Sequence, residues 1–541
     1  MKNEKNFLLA VIITVVVLYF YPLLIKQFFP QFFTPPEEIQ IKGPGSTVGR
    51  PQTETAFQSG PKEYANPVTT APVKTYTIEN DLYRVVIASP EADIKRIELK
   101  KITDPGTQLP TVLVDVGTQG RGIFYQEGLL LDSVLEGIEE SNTAVEFIYS
   151  KGNKLTIIKR IELDARMYKI SLITEFKNAS DKEIFTGYSF VAATGLNEVS
   201  GIEDRFRDAM AMFKNGKMYK KNINSLESLR KIEGDIHFAG FKTRYFSLVA
   251  TPLNGADYFY TQKAAPGSPG AKANVGIGCK QLAIMPQQTV RQEVVLYAGP
   301  TDYETMSGLN LGIEAIRGKG FFAGISEMLL MLLRFLYKLL NNYGLAVVVL
   351  AIIINLFLAP LTIKSLVSMK EMQSLQPLVE QLRNEHKDNP QKLNKEIMGL
   401  YKKHKVNPAG GCLPMLLQMP IFFSLYNVLM RAIELRGASF LWIKNLAAPD
   451  AFINLPGEYP LIGSSINILP IIMIAVSFFQ QKLTNPAQAN DQQKAMAFLM
   501  PFFLGFIFYN FPSGLALYFL TNSIFSFAIQ LGISKKAKVC S

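Results

Sequence analysis

Histidine and cysteine are the side chains most often recruited for proton transfer and metal binding near neutral pH, and 541 residues hold only three of each. His237 and Cys279 stand alone of their kind between residues 73 and 303. A lone histidine in a strand-rich segment is a structural residue more often than a catalyst, so that region is expected to be non-catalytic. Cys412 and Cys540 fall in or below apolar runs, which leaves Cys279 without an intrachain disulfide partner. No metal and no cofactor are expected. The unusual polar residues are uncharged. Asn355, Thr362, Gln418, Asn427, Thr521, Asn522, Ser526 and Gln530 lie in apolar runs that contain no Asp, Glu, Lys or Arg. Ionisable residues inside a membrane mark proton relays and ion-coupled carriers, and their absence counts against a proton-driven transporter. Any one of these polar residues is explained by an interhelical hydrogen bond, worth about 0.6–2 kcal/mol. As a set they are able to line a wet cavity. Asn355 and Thr362, seven apart, share a helix face, whereas Lys364, nine beyond Asn355, points the other way.

The elements that carry these residues are membrane spans. Charged residues make up 19% of the chain, below the level of soluble domains. Phe7–Ile25 is uncharged, follows Lys2 and Lys5, and has no small-residue cleavage site after it. It reads as an uncleaved signal anchor. Five further runs lie at Tyr343–Ile363, Cys412–Met430, Pro460–Phe479, Ala495–Phe511 and Ser513–Ile533, each near the ~20 residues that cross a bilayer. Nine Lys/Arg fall between residues 364 and 411, and Lys535, Lys536 and Lys538 close the chain. Positive-inside then puts these segments and both termini in the cytoplasm. Pro414, Pro420, Pro470 and Pro501 are expected to kink or break helices.

Residues 31–72 are rich in Pro, Gly and Thr and read as a disordered linker on the far side. From 73 to 304 the period changes to two, as at Val145, Phe147 and Tyr149, and hairpin signals recur. This predicts a large antiparallel β-sandwich on the same side. Residues 305–342 form a connector ending in an amphipathic helix in the headgroup plane, with Glu327, Arg334, Lys338 and Asn341 opposite its apolar face. The core spans 343–534, including a cytoplasmic hairpin at 365–411. Its helices carry Met369, Met372, Leu375, Leu378 and Leu382, then Leu393, Ile397, Leu400 and Tyr401, around an Asn389–Pro390 helix start. Basic residues such as Lys402 and Lys403 suit docking or simply solvation. Met415, Met419, Phe423, Tyr426 and Met430 form a soft stripe suited to varied apolar partners. A basic tail, 535–541, ends the chain. The fold class is therefore an α-helical polytopic membrane protein of six spans, five forming the core, with the β-sandwich outside.

Several strings carry a resemblance. They are Pro360-Leu-Thr, Leu375-Gln-Pro, Val406-Asn-Pro-Ala-Gly-Gly-Cys-Leu-Pro414, Gln418-Met-Pro-Ile-Phe422, Glu434-Leu-Arg, Leu441-Trp-Ile, Met500-Pro and Phe511-Pro-Ser-Gly-Leu515 with Leu517-Tyr518. In these the chain resembles the YidC/Oxa family of membrane protein insertases, specifically its Gram-negative bacterial branch, closely over 305–541 and loosely before. The resemblance implies a β-supersandwich outside and a hydrophilic groove in the inner leaflet. It also implies nascent membrane proteins as clients, the SecYEG translocon, the ribosome and the phospholipid bilayer as partners, and no specific nucleic-acid sequence. Asn355, Thr362, Gln418, Asn522 and Ser526 would line the groove. Met415, Met419, Phe423, Met430 and Phe519 would contact the client's apolar helix, and Met369, Met372, Leu375, Lys402 and Lys403 would mark the hairpin. One position departs: the family's Arg, five residues before Pro-Leu-Thr, is Asn355 here. Phe519 likewise stands at a client-contacting aromatic position without its hydroxyl. A transporter or channel with a periplasmic binding domain is the alternative from another class. A membrane-anchored carbohydrate-active enzyme is a third, which a single histidine disfavours.

Overall fold

Period-two alternation becomes sheet from Thr75 to Pro300. The computed structural model of the protein describes residues 73–539, apart from 119, 127–128, 131, 195–205, 264–272, 319–321, 387–388, 405, 407–412, 460–461 and 485–490. The expected signal anchor at Phe7–Ile25 and linker at 31–72 lie outside the described residues. The chain divides into two compact units, one ending at Lys319 and the other beginning at Gly320.

In the first unit, a nine-stranded antiparallel sheet runs in the order Met218–Asn222, Asp208–Phe213, Ile236–Lys242, Phe246–Pro252, Thr289–Pro300, Lys169–Asn178, Leu155–Leu163, Ala144–Lys151, Ser133–Glu140. Two four-stranded sheets accompany it, one from the four strands between Thr75 and Asp115 and one ordered Leu229–Glu233, Tyr258–Lys263, Ala273–Ile284, Ile184–Thr194. Alternate residues of the large sheet, such as Val145, Phe147, Tyr149, Ile157 and Ile161, are buried. The short helical turn Gly152–Lys154 joins two paired strands of this sheet. Past the last strand, helix α1 (Tyr303–Ser307) and a tight turn at Ile313–Arg317 pack Met306, Ile313 and Ile316 onto Met210, Phe238, Val249 and Tyr297. The start of the predicted connector thus belongs to the core of the β-rich unit.

A polar row crosses that core. Lys159, Thr174 and Gln292 are successive partners on three neighbouring strands, and all are buried. The Lys159 ammonium donates to the carbonyl oxygens of Glu91 at 2.6 Å and Phe124 at 2.9 Å, and it lies 4.5 Å from the Phe124 ring centre. Burial lowers it to about 8. Burial also raises the Cys279 thiol, which makes it a poor nucleophile.

The second unit is helical: α2 (Ala323–Leu340), α3 (Tyr343–Ser374), α4 (Gln376–Glu385), α5 (Pro390–Lys403), α6 (Leu413–Arg431), α7 (Ile468–Thr484), α8 (Asp491–Phe508) and α9 (Ser513–Val539). α9 is central, packing on α3, α6 and α7, and α8 packs on α7. Among the described residues, α3 and Ser513–Gly532 of α9 are long and apolar enough to cross a membrane unaided, with shorter apolar helices at Ile468–Gln481 and Phe498–Phe508.

Three expectations change. The fourth expected span does not begin at Pro460: residues Ile453–Tyr459 and Gly463–Ile466 pair as a β-hairpin, and the helix starts at Ile468. Hydropathy does not see that Gly463 sits at φ +74 or that Asn467 and Asp450 hold the helix start. The helical hairpin expected in the cytoplasm does not begin at 365, because α3 runs unbroken to Ser374 through Pro360. Pro414 and Pro470 fall in the first turns of α6 and α7, where no hydrogen bond is lost; of the four expected helix breakers, Pro420 and Pro501 are interior, as Pro360 is in α3.

Candidate functional site

α3 brings Asn355 and Thr362 into the helical unit, and both make the same local bond. The Asn355 amide donates to the carbonyl of Ala351 at 2.7 Å, and the Thr362 hydroxyl donates to that of Leu358 at 3.1 Å. In α6 and α9, Asn427 donates to Phe423 at 2.9 Å and Thr521 to Leu517 at 2.8 Å. Each donor thus satisfies itself one turn back on its own helix, so these bonds do not tie helix to helix. Asn355 is buried, 9% exposed, while Thr362, Gln418, Asn522 and Ser526 are half-buried. Gln418 of α6 lies near enough to the buried hydroxyl of Tyr518 on α9 to interact with it, although no bond closes in hydrogen-bond geometry.

The soft stripe of α6 divides. Met419 and Tyr426 are half-buried and Phe423 is exposed, but Met430 is in the core. Met430 sits where α6 ends and the turn Ile433–Leu435 folds back with Leu435 buried. For Met415 the backbone is helical and the side chain lies outside the described residues. Phe519 is held by rings on two other segments: its centroid is 5.3 Å from Phe422 and 4.6 Å from Phe508. Tyr426, Phe508 and Phe511 extend this aromatic cluster. Isolated phenylalanines in an apolar run gave no sign that α6, α9 and the turn between α8 and α9 would share one contact.

The opposite arrangement holds on α8. Phe498, Leu499, Met500, Phe502, Phe503, Leu504, Phe506 and Ile507 are all 39–56% exposed. Pro501 and Phe508 are buried, and at Gly505 the neighbouring helix approaches so closely that a Cβ would lie 2.2 Å from Ile474. A helix apolar on every side and packed along one narrow seam has its outer surface suited to hydrocarbon.

α2 has three faces. Leu329, Leu333 and Leu336 are buried, Met328, Met331, Phe335 and Leu339 are exposed, and Glu327, Arg334 and Lys338 occupy the remainder. The helix packs on α3 and α6. Arg334 is not simply a solvated face residue: its guanidinium bonds Glu434 at 2.6 and 2.7 Å. Ser326 donates to the carbonyl of Ser424, and Tyr337 stacks on Tyr343 at 3.9 Å. Asn341, expected on the polar face, instead closes α2 in a left-handed turn, and Asn342 caps α3.

In the hairpin, Leu375 and Val379 are buried, Met369 and Met372 half-buried, and Lys402 and Lys403 exposed. The Asn389 side chain accepts from the Lys392 amide at 3.1 Å with Pro390 in the first turn, as the sequence predicts.

Sequence reading missed Asp450. One oxygen of this buried carboxylate accepts from the amides of Ile468 and Leu469 at the start of α7 and from the indole of Trp442. Beside it, Asn467 donates to the carbonyl of Tyr509, and the backbone from Leu446 to Ala448 holds Ser513 and Gly514 at the start of α9. An Asp just past Ala-Ala-Pro offered no periodic signal.

Residues 75–332 match the model of the YidC periplasmic domain, and residues 335–539 match that of the 60Kd inner membrane protein family. The chain is similar to the membrane protein insertase YidC of Pelobacter propionicus, 31% identical over 98% of this chain and 99% of that one. It is 32% identical to that of Chlorobaculum tepidum over 84% and 81% of the two chains, and 30% identical to that of Geobacter metallireducens over 98% of each. With two adjoining family matches, and end-to-end relatives at 30–31% identity, the strings from Pro360 to Tyr518 are no local coincidence: this chain belongs to the YidC family of membrane protein insertases.

Proposed function

We propose that the protein is a membrane protein insertase and chaperone that receives nascent membrane proteins and releases their apolar segments into the inner membrane. The observation that carries this is the helical unit's polarity. The polar side chains within its apolar helical stretches are uncharged, whereas the phenylalanines of α8 face outward. Such a unit is suited to lipid outside and to a polar guest inside. A polar tail crossing hydrocarbon alone leaves each hydrogen-bonding group unsatisfied at a cost of several kcal/mol. Asn355, Thr362, Gln418, Asn522 and Ser526 would lower that cost while the client's apolar helix leaves past Met415, Met419, Phe423, Met430 and Phe519. Burial of Met430 requires α6 to move for that side chain to take part.

The finer reading has six spans, counting Phe7–Ile25 and α6, α7 and α8 beside the two longest helices. Both termini and the hairpin lie in the cytoplasm and residues 31–342 in the periplasm. The loop charge supports this orientation. The basic hairpin, with Lys402 and Lys403 exposed, would meet the ribosome, and SecYEG would act as a partner for larger clients. The sequence contains no Walker-type nucleotide motif, and the insertion step asks for no hydrolysis by this chain.

Purified protein in liposomes tests the proposal with a small single-span client and protease protection as readout. Wild type is expected to insert the client above protein-free liposomes, and Asn355→Leu to insert it less. No insertion by wild type, with lipid and client controls intact, would leave a translocon-dependent chaperone in place of an independent insertase.

A further inference from the structure

Between α6 and α7 one turn is built against the usual rules. Phe440 and Ile443 exchange both backbone hydrogen bonds, at 2.9 and 2.8 Å, so Leu441 and Trp442 are the central residues of a tight hairpin turn. Such positions ordinarily go to Asn-Gly and similar small pairs, because at least one of them needs a positive φ. Here Leu441 takes that conformation, at φ +51, and is 75% exposed. A leucine held left-handed with its side chain outside is unfavourable twice, in backbone sterics and in contact with water. Strain of this kind persists where the surroundings use it. Ala451 is also left-handed, at φ +40, and Phe452 after it is exposed and meets the Trp442 ring edge-on at 6.1 Å.

The helices joined here fix the depth of the turn. Phe440 lies so close to Gly344, in the first turn of α3, that a Cβ there would fall 2.2 Å from its ring. The carbonyls of Leu446 and Ala448 accept from the amides of Gly514 and Ser513 at the start of α9. Trp442 donates its indole N–H to Asp450, the carboxylate that also holds the start of α7. Among the described residues, α3 and α9 carry the two stretches long and apolar enough to cross a membrane. The turn is therefore level with the ends of those helices, where hydrocarbon would give way to headgroups. With its N–H spent inward, the indole has apolar surface left outside, and Lys444, exposed two residues on, suits a lipid phosphate. Aromatic and basic side chains at that level anchor helices to a membrane surface.

We propose that the Leu441–Trp442 turn, with Phe452 beside it, is a lipid-inserted anchor that seats this end of the helical unit in the membrane interface. Its partner is the boundary between acyl chains and phosphates. Because Asp450 joins the indole to the start of α7, the anchor also sets the depth of that helix. The inference needs α3 and α9 to span a membrane and is independent of whether the chain inserts clients.

Trp442 is the only tryptophan in the chain, so the fluorescence of the full-length protein in phosphatidylcholine liposomes reports this turn alone. Lipid brominated on its acyl chains is expected to quench the emission, most strongly with bromine near the headgroup end, while aqueous acrylamide quenches weakly. Leu441→Asn separates an anchor from a merely structural turn. Asparagine suits the left-handed backbone, so the thermal midpoint in detergent should hold or rise, whereas in liposomes lipid quenching should fall and the emission move to the red. Acrylamide quenching without lipid quenching overturns the proposal in favour of water. Quenching by neither assigns the turn to a protein surface and overturns it as well. Lipid quenching that Leu441→Asn leaves unchanged overturns the anchoring role of the turn.

Discussion

At the scale of single residues, two buried charges show how differently the units use them. In the helical unit, Asp450 places one carboxylate oxygen against two free amides at the start of α7 and the Trp442 indole. This is a capping interaction favoured by the helix dipole. Asp450→Ala should destabilise the helical unit by about 1–2 kcal/mol, read as a lower thermal midpoint in detergent, with Trp442 emission changed at the same time. Asp450→Asn keeps an acceptor and should recover part of the loss. In the β-rich unit, Lys159 is buried and lowered to about 8 from its ordinary 10.5. Between those values the unfolded chain holds a proton that the folded one has released. Stability therefore rises with pH across that window, by up to about 1.4 kcal/mol per pH unit. Denaturant titrations at pH 8 and pH 10 check this, and Lys159→Met should flatten the slope. Glu91 acts in acid with the opposite sign. Burial raises its carboxyl, so its contribution is lost as pH climbs above the ordinary value.

Elements raise a different question, which is how firmly each is attached. α8 meets α7 where Gly505 faces Ile474, with no room for a Cβ. Gly505→Val should therefore loosen or displace α8, costing about 1–3 kcal/mol as overpacked sites do, and client insertion should fall with it. Adding Ile474→Ala should restore part of both; independent sites would instead show additive losses in the double-mutant cycle. α2 is held from another side. The Arg334–Glu434 pair, half-withdrawn from solvent, fixes the helix's rotation, so that Met328, Met331, Phe335 and Leu339 form one exposed apolar line.

For the whole molecule, the division into two units sets the expectations. The β-rich unit has its own core, closed at its C-terminal end by Met306, Ile313 and Ile316. A fragment from residue 73 to residue 318 is expected to fold in water and melt cooperatively, measured by circular dichroism. A fragment ending at residue 302 would lose those three plugs and should melt lower or aggregate. The helical unit exposes the Phe-rich side of α8 and is expected to need detergent or lipid throughout.

Much of this was legible in the sequence because its cause is local. Period two gave the strands, uncharged apolar runs gave α3 and α9, and Asn389–Pro390 gave a helix start, since each depends on neighbours within a few residues. The groove candidates were legible as residue types, because a polar side chain in an apolar run stands out wherever it points. The tertiary structure alone decided how they are used. Whether Asn355 spends its amide on Ala351, whether Met430 faces a guest or the core, and which helix covers Gly505 depend on contacts between segments far apart in the chain. The hairpin between Ile453 and Ile466 and the carboxylate of Asp450 belong to the same class. Hydropathy read the hairpin as the beginning of a span, and it stays a hairpin because Asp450 and Asn467, bonded to distant amides and to Tyr509, hold the helix start at Ile468. Periodicity records which residues prefer burial, but the partner that buries them is chosen by packing across the fold.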